Sequence, residues 1–238
     1  MKTLGMFAKQ PVPGRVKTRL AADWGNDRAA GLYEAFLRDL LDRLGDRRPE
    51  GLDAGIQRVL GFSPDEATAH AWFEAAAASR WQLWPQPDGD LGGRIAAFFA
   101  GHTAGPECSA VLIGSDSPTL PVAYVRDAFE RLNSVDVVVC PASDGGYCLI
   151  GLRSGFDAAP LFRDLEWSSS RVLGQTAERV RESGLSLELL PVWYDVDSVE
   201  SVKMLQGHLR ASAVAGVDQG LKFTSAFLDA PVDRTAVR

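Results

Sequence analysis

The sequence is poor in the residues that build disulfide frameworks and histidine-rich metal sites. It contains three cysteines and three histidines among 238 residues. The cysteines, Cys108, Cys140 and Cys148, are odd in number and lack metal-ligand spacing, so we expect reduced, partly buried thiols. The histidines are scattered and form neither H-x-x-x-H nor H-E-x-x-H, which argues against a zinc site built on histidine pairs.

The sequence also lacks long hydrophobic runs and an excess of positive charge. No apolar run approaches the roughly 18–20 residues that span a bilayer, and the N-terminus has no signal-peptide pattern. We therefore expect a cytoplasmic protein with no membrane partner. The net charge of −6 argues against broad nucleic-acid binding, because such proteins usually carry a basic face.

Short apolar segments alternate along the chain with segments of helical periodicity. The predicted strands are 3–8, 56–62, 81–86, 109–116, 135–142, 147–152 and 186–198. The predicted helices are 26–44, 63–78, 90–103, 121–133, 168–184 and 199–209. This order predicts an α/β fold with a mostly parallel sheet that helices cover on both faces. We expect one domain over residues 1–212 and a partly irregular C-terminal tail over residues 213–238.

A basic segment, "FAKQPVPGRVKTRL", follows the first predicted strand. Five positive charges precede the first acid of the chain, Asp23; they are Lys2, Lys9, Arg15, Lys17 and Arg19. Gly14 lets backbone N–H groups approach a polyphosphate together with the lysine and arginine side chains. The segment is not a Walker A loop, because no second glycine precedes Lys17. The alternative is an ordinary solvated connection.

Acidic residues follow other predicted strands near their ends. They are Asp116 in "GSDSP", Asp144 in "SDGG", and Asp195 and Asp197 in "DVDS". Ligands of open α/β sheets bind outside the carboxyl ends of the strands, so these acids and the basic segment should share one edge. Asp116 and Asp197, on separate strand ends, suit a Mg²⁺ ion that neutralises a leaving diphosphate. Alternatively, Asp116 caps a turn or helix, Asp195 and Asp197 cap the last helix, and the glycines after Asp144 form a hairpin turn.

Six motifs occur in an order that resembles a bacterial family of GT-A-like nucleotide-diphospho-sugar transferases. They are "FAKQPVPGRVKTRL", "DLGGR", "GSDSPTL", "SDGGYCLIGL", "EWSSSRVL" and "DVDSVES". The family is also labelled radical-SAM/selenodomain-associated transferase and includes glycosyltransferases of arsenosugar biosynthesis. It is similar to the molybdenum-cofactor and phospholactate guanylyltransferases. The resemblance implies a single Rossmann-like GT-A domain that binds a nucleotide.

The resemblance also implies roles on the nucleotide side of the site. Arg15 and Lys17 would contact the phosphates, within a phosphate-binding loop that also contains Gly14 and Arg19. Gly92 and Arg94 of "DLGGR" would lie near the base or the ribose. Asp116 and Asp197 would hold the divalent metal, Mg²⁺ or Mn²⁺.

On the acceptor side, the resemblance implies a binding surface from two segments. Its residues would be Asp144, Gly145, Gly146, Tyr147, Trp167 and Ser168. The sequence departs from the family pattern at Thr119, where the family has a second acid, and at Ser198, Val199 and Ser201 of the last motif.

Three hypotheses for the function follow. The first is a metal-dependent glycosyltransferase that uses a nucleotide-activated sugar. In it the metal held by Asp116, together with Arg15 and Lys17, stabilises the departing phosphate, and Asp144 orients or deprotonates the acceptor hydroxyl. The second is a nucleotidyltransferase that cleaves a nucleoside triphosphate and releases pyrophosphate, and the third is a non-catalytic nucleotide-binding protein. We expect a small-molecule donor and a small-molecule acceptor, and the base, the acceptor and the oligomeric state are left open.

Overall fold

Seven strands and nine helices occur in the part of the chain that the structure, a computed structural model, describes: residues 1–45, 52 and 55–231. The strands are β1 (Lys2–Lys9), β2 (Gln57–Ser63), β3 (Gln82–Pro85), β4 (Ser109–Ile113), β5 (Val137–Pro141), β6 (Tyr147–Arg153) and β7 (Leu187–Leu189). The helices are α1 (Thr18–Trp24), α2 (Asn26–Gly45), α3 (Ala67–Ala77), α4 (Leu91–His102), α5 (Val122–Arg131), α6 (Ala159–Phe162), α7 (Val172–Glu182), α8 (Val199–Val214) and α9 (Lys222–Asp229).

The strands form one mixed sheet in the order β3-β2-β1-β4-β6-β5-β7. Strand β6 runs antiparallel to both of its neighbours, and every other pairing is parallel. Apolar side chains pack on each face of the sheet in a separate cluster, one that includes α2 and α5 and one that includes α4 and α6. This architecture confirms the predicted α/β fold class and explains why the central strands are apolar throughout.

The carboxyl ends of the parallel strands lie along one edge of the sheet. Lys9 at the end of β1 is in register with Ser63 at the end of β2. Because β6 is antiparallel, its first residue, Tyr147, lies at the same edge, opposite Pro141 at the end of β5. The segments that follow these strands therefore meet at this edge, as the sequence predicted.

Three predicted boundaries are wrong for local reasons. Helix α3 begins at Ala67 rather than at Ser63, because Ser63 pairs with β1 as the last residue of β2. Helix α7 begins at Val172, and Ser168 lies outside it with a left-handed φ of 63°. The last strand, β7, ends at Leu189, two residues before Pro191, which has no N–H to donate to a ladder.

The C-terminal part of the described chain packs against α2. Asp39 of α2 is buried and accepts hydrogen bonds from the backbone N–H groups of Phe223 (3.0 Å) and Thr224 (2.7 Å) at the start of α9. Helix α8 continues to Val214, and α9 lies within the segment predicted as a partly irregular tail. Residues 232–238 of that tail lie outside the described residues, so the division at residue 212 stays a prediction.

Two further predictions concern the cysteines and the membrane. All three cysteines are free and buried, and the sulfur atoms of Cys140 and Cys148 lie 3.3 Å apart on neighbouring strands. Among the residues that the structure describes, none of the helices has both the length and the apolar character that crossing a membrane requires.

Candidate active site

A cavity of about 990 Å³ opens at the carboxyl edge of the sheet. Its walls come from the segment after β1, the start of α4, the end of β4, and the segments around residues 144–147, 167–170 and 195–197. Eleven of the predicted site residues line it: Arg15, Lys17, Arg19, Arg94, Asp116, Asp144, Gly146, Tyr147, Trp167, Ser168 and Asp197. The structure therefore brings together most of the residues that the motifs singled out.

Lys17 is the centre of the polar network in this cavity. Its Nζ donates to Oδ1 of Asp116, to Oδ1 of Asp197 at 2.7 Å, and to the carbonyl oxygen of Val196 at 2.8 Å. The Lys17 side chain is 2% exposed, whereas those of Asp116 and Asp197 are 44% and 40% exposed. The sequence predicted that Lys17 contacts phosphate, but here all three of its N–H donors already have protein partners.

The charge on Lys17 is fixed by these neighbours. Burial alone would lower the pKa of its ammonium group, but the charges of Asp116 and Asp197 and their hydrogen bonds outweigh burial and hold the pKa above its ordinary value. Lys17 is therefore a permanent cation within a group of carboxylates.

Asp195 is the most perturbed of the carboxylates. Burial raises its pKa, and the neighbouring charges of Asp116, Asp197 and Asp144 add to this against the opposing hydrogen bond from the Ser117 hydroxyl, so that the pKa is about 6. The four acids at this edge of the sheet, Asp116, Asp144, Asp195 and Asp197, are thus close enough to influence one another electrostatically. Helix α8 takes its capping box from Ser198 and Ser201, so neither Asp195 nor Asp197 serves as its cap.

Exposed positive charge also lines the cavity. Lys9, Arg15 and Arg19 are exposed, and their side chains make no hydrogen bond or ion pair with any residue that the structure describes. Gly14 forms the turn before Arg15 with a φ of 76° but does not belong to the cavity wall. The lining cations whose side chains have no partner among the described residues are therefore the arginines on either side of Lys17, together with Lys9.

The loop of residues 144–147 is packed against the segment after Trp167. Oδ1 of Asp144 accepts a hydrogen bond from the N–H of Gly146 at 3.0 Å, which is the turn expected from "SDGG". Gly145 has a φ of 94°, and a Cβ atom there would lie 2.4 Å from the carbonyl oxygen of Ser170. Gly145 thus holds two cavity walls together without itself lining the cavity.

Two buried polar groups at this end of the cavity have no hydrogen-bond partner among the described residues. They are the hydroxyl of Tyr147 and Nε1 of Trp167, whose rings meet edge to face at 6.4 Å. The Tyr147 hydroxyl lies beside the hydroxyl of Thr176 without hydrogen-bond geometry between them. Since buried polar groups are nearly always paired, these two atoms are exceptions among the residues around the cavity.

Arg94 lies on the β3 side of the cavity, and its partner is Gln86, a residue that sequence reasoning missed. Nη1 of Arg94 lies 3.4 Å from Oε1 of Gln86, and Nε2 of Gln86 donates to the carbonyl of Gly61 at 2.7 Å. Gln86 directly follows β3 at the same edge as the other site residues. Its position after a strand end was the signal that could have identified it.

Gly92 is a packing residue rather than a cavity residue. A Cβ atom there would lie 2.3 Å from the backbone oxygen of Phe162 and 3.1 Å from Nε1 of Trp167. We expect Gly92→Ala to destabilise the fold by roughly 2 kcal/mol or more, because backbone has to move to relieve the contact. Urea unfolding measures this effect, and Gly101→Ala, on the same helix with open space around it, is the matched control. Equal stability of the two variants would contradict this packing role.

Tyr33 of α2 is a second residue that sequence reasoning missed. Its hydroxyl lies 2.7 Å from Oγ of Ser115 and accepts a hydrogen bond from the N–H of Lys9 at 3.1 Å. Burial raises its pKa to about 12, so the phenol stays neutral. In the sequence Tyr33 is typical of an apolar helix face, and nothing there indicates that it joins the ends of β1 and β4.

The fold and the cavity define a class of protein: a transferase enzyme with the nucleotide-diphospho-sugar transferase fold. A solved structure from Desulfovibrio desulfuricans G20, provisionally named a nucleotide-diphospho-sugar transferase, superposes with a TM-score of 0.80. It is 32% identical and the match covers 95% of this chain and 96% of that one. A nucleotidyl transferase from Methanothermobacter shares the fold at 16% identity, with a TM-score of 0.53 over 89% of this chain and 99% of that one.

The chain belongs to the DUF2064 family, described as an uncharacterized protein conserved in bacteria, which matches residues 51–169. It is also similar to the 3-phospho-D-glycerate guanylyltransferase of Phenylobacterium zucineum strain HLK1. That relative is 33% identical over 183 residues, which are 73% of this chain and 79% of the relative.

Proposed function

We propose that the protein is a nucleotidyltransferase that transfers a guanylyl group from GTP to a small phosphorylated acid and releases pyrophosphate. The observation that carries this proposal is the 33% identity to a 3-phospho-D-glycerate guanylyltransferase over 79% of that enzyme's length. The cavity supports it, because its lining combines cations that have no partner among the described residues with a group of carboxylates. This is the second of the functions that the sequence suggested.

The chemistry needs no general base. An oxygen of the acceptor's phosphate, already ionised at neutral pH, attacks the α-phosphorus of GTP. The bond between the α-phosphorus and the bridging oxygen then breaks, and its electron pair leaves with pyrophosphate. Lys9, Arg15 and Arg19 stabilise the charge that accumulates on the β- and γ-phosphates. Asp144, which the sequence suggested as a base, would orient an acceptor hydroxyl rather than deprotonate it.

The donor atoms around Lys17 fit a divalent cation. Asp116 and Asp197 each use one carboxylate oxygen for Lys17 and are about two-fifths exposed, which leaves oxygen donors toward the cavity. No cluster of three potential metal ligands occurs among the described residues. Mg²⁺ commonly uses one or two carboxylates together with substrate phosphates, so two suffice. Bound by Asp116 and Asp197, Mg²⁺ or Mn²⁺ would neutralise charge on the triphosphate.

Pyrophosphate release tests the proposal. The purified protein is incubated with Mg²⁺ and each of the four nucleoside triphosphates, with and without 3-phosphoglycerate. We expect release only when both a phosphorylated acid and a triphosphate are present, and fastest with GTP. Absence of release with all four triphosphates across a panel of phosphorylated acids would overturn the proposal.

Glycosyl transfer is the second candidate function, and the Desulfovibrio structure favours it through its provisional name and 32% identity. The same incubations with GDP- and UDP-sugars separate the two functions. Release of a nucleoside diphosphate from these donors, with no pyrophosphate from any triphosphate, would establish the glycosyltransferase hypothesis instead.

The exposed arginines of the cavity give a further prediction. We expect Arg15→Gln together with Arg19→Gln to raise the KM for GTP by about 100-fold or more, because two charge-assisted contacts are lost and each contributes roughly 1.5–3 kcal/mol. Steady-state kinetics of pyrophosphate release measures the change. Arg210→Gln, an exposed arginine of α8 outside the cavity, is the matched control. An unchanged KM in the double variant would remove these arginines from the phosphate site.

A further inference from the structure

One buried ammonium group joins three separate segments of the candidate active site. Lys17 follows the basic turn, Asp116 follows β4, and Val196 and Asp197 precede α8. An ammonium group has three N–H donors, and the three oxygens around Lys17 use all of them. A phosphate could contact Lys17 only by displacing one of these partners.

The backbone and the aromatic neighbours hold Lys17 in this place. Its φ of 47° and ψ of 43° are left-handed, a conformation that non-glycine residues rarely adopt. Its carbonyl accepts the first hydrogen bond of α1, from the N–H of Ala21 at 2.8 Å. The ammonium group also lies 5.6 Å from the ring centroids of both Tyr33 and Phe36. The left-handed backbone conformation of Lys17 persists only because contacts with the surrounding residues stabilise it.

Lys17 and its neighbours in the basic segment carry the same charge but differ in exposure and in their ion pairs. Lys17 is 2% exposed and paired twice with carboxylates, whereas Arg15 and Arg19 are exposed and make no ion pair with a described residue. Without Lys17, Asp116 and Asp197 would face each other as like charges. The loop therefore divides its cations between one that is internal and two that are available.

We infer that Lys17 is a positioning residue, an internal cation that clamps Asp116 and Asp197 together and anchors the basic segment, and that it is not a ligand of the nucleotide phosphates. The phosphate contacts then belong to Lys9, Arg15 and Arg19. The nucleotide part of this inference rests on the proposed function, whereas the clamp itself does not.

A double-mutant cycle tests the clamp without any substrate. We expect Lys17→Met to lower the urea midpoint of unfolding, because two carboxylates lose their common cation. Lys17→Met with Asp197→Asn should be at least as stable as Lys17→Met alone, because the second change removes one of the uncompensated charges. Additive losses in the double variant would show that the two side chains are uncoupled and would overturn the clamp.

Nucleotide binding without metal tests the second half of the inference. In EDTA we expect the double variant, which keeps the net charge of the cluster, to bind GTP with a Kd within about twofold of that of the original protein. Calorimetry measures both Kd values, and a tenfold difference would correspond to about 1.4 kcal/mol. A loss of about tenfold or more would make Lys17 a phosphate ligand. Failure of the original protein to bind GTP both in EDTA and with Mg²⁺ would overturn the proposed function and the phosphate assignment with it, and would leave the stability cycle to decide the clamp.

Lys17→Arg provides a variant that keeps the positive charge if Lys17→Met does not fold. A guanidinium binds phosphate well but cannot place three donors where one ammonium nitrogen lies. If Lys17 positions the carboxylates, we expect kcat to fall about tenfold or more with the KM for GTP within about twofold. Retention of kcat with an altered KM would indicate direct phosphate contact and contradict the inference.

Discussion

Replacing Asp116 by asparagine is expected to lower kcat for pyrophosphate release by about 10²- to 10³-fold, the range seen when one preorganised electrostatic contact is lost from an active site. Asp116 contributes the charge that Lys17 compensates and an exposed oxygen toward the cavity. The asparagine side chain has the same shape but no charge, so it weakens both contacts at once. Steady-state kinetics with GTP and 3-phosphoglycerate measures the loss.

Folding should be nearly unaffected by the same change. Lys17 keeps its bonds to Asp197 and Val196, and Asp195 loses a neighbouring negative charge. We expect the free energy of unfolding of Asp116→Asn, measured with urea, to lie within about 1 kcal/mol of that of the original protein. Glu74→Gln, on the exposed face of α3, removes the same charge away from the cavity and should leave kcat unchanged. Full activity in Asp116→Asn would contradict the assignment of Asp116 to the reaction.

The position of the site could be predicted because strand ends in an α/β sheet share an edge. Asp116, Asp144 and Asp197 each follow a different strand, and a mostly parallel arrangement places all three at one edge whatever the loop details. Strand β6 belongs there too, because its antiparallel direction brings its first residue, Tyr147, to that edge. The fold class and the location of the site can therefore be predicted from the order of strands and helices and from the residues that follow the strands.

The partners of individual side chains could not be predicted in the same way. The basic segment contains a lysine between two arginines, and composition cannot show that the lysine turns inward while the arginines stay exposed. Helix α1 was missed as well, because Pro11, Pro13 and Gly14 are typical of a loop and only seven residues of helix follow them. The left-handed φ of Lys17, which directs its side chain, depends on contacts with α2 and with residues 99 or more positions away.

The roles of the glycines could not be predicted from the sequence either. Gly92 and Gly145 occur in motifs that suggested ligand contact, yet each one allows two protein segments to approach closely. A glycine in a motif indicates only that a side chain would be in the way. Whether the obstacle is a ligand or another backbone becomes clear when the neighbour, here Phe162 or Ser170, is known.

Asp195→Asn is expected to make the protein more stable at pH 8 by about 3 kcal/mol. The pKa of Asp195 is raised from 3.8 to about 6, first by burial and then by the charges of Asp116, Asp197 and Asp144. Two pKa units correspond to about 3 kcal/mol that ionisation costs the folded state. Asparagine is neutral at every pH and can still accept the hydrogen bond from Ser117, so it avoids this cost.

The sign of the effect gives it a distinctive pH dependence. Between about pH 4 and pH 6 the folded state binds more protons at residue 195 than the unfolded state does, so this group lowers the stability as the pH rises through that window. Urea unfolding in EDTA should therefore show a stability difference between Asp195→Asn and the original protein that grows from pH 5 to pH 7 and is constant above. Glu74→Gln should show no such growth. A less stable Asp195→Asn at pH 8 would mean that the ionised bond to Ser117 outweighs burial and repulsion.

A carboxylate that costs stability at neutral pH and lines the cavity is typical of a residue retained for activity, and we therefore expect the stabilised variant to be the slower enzyme.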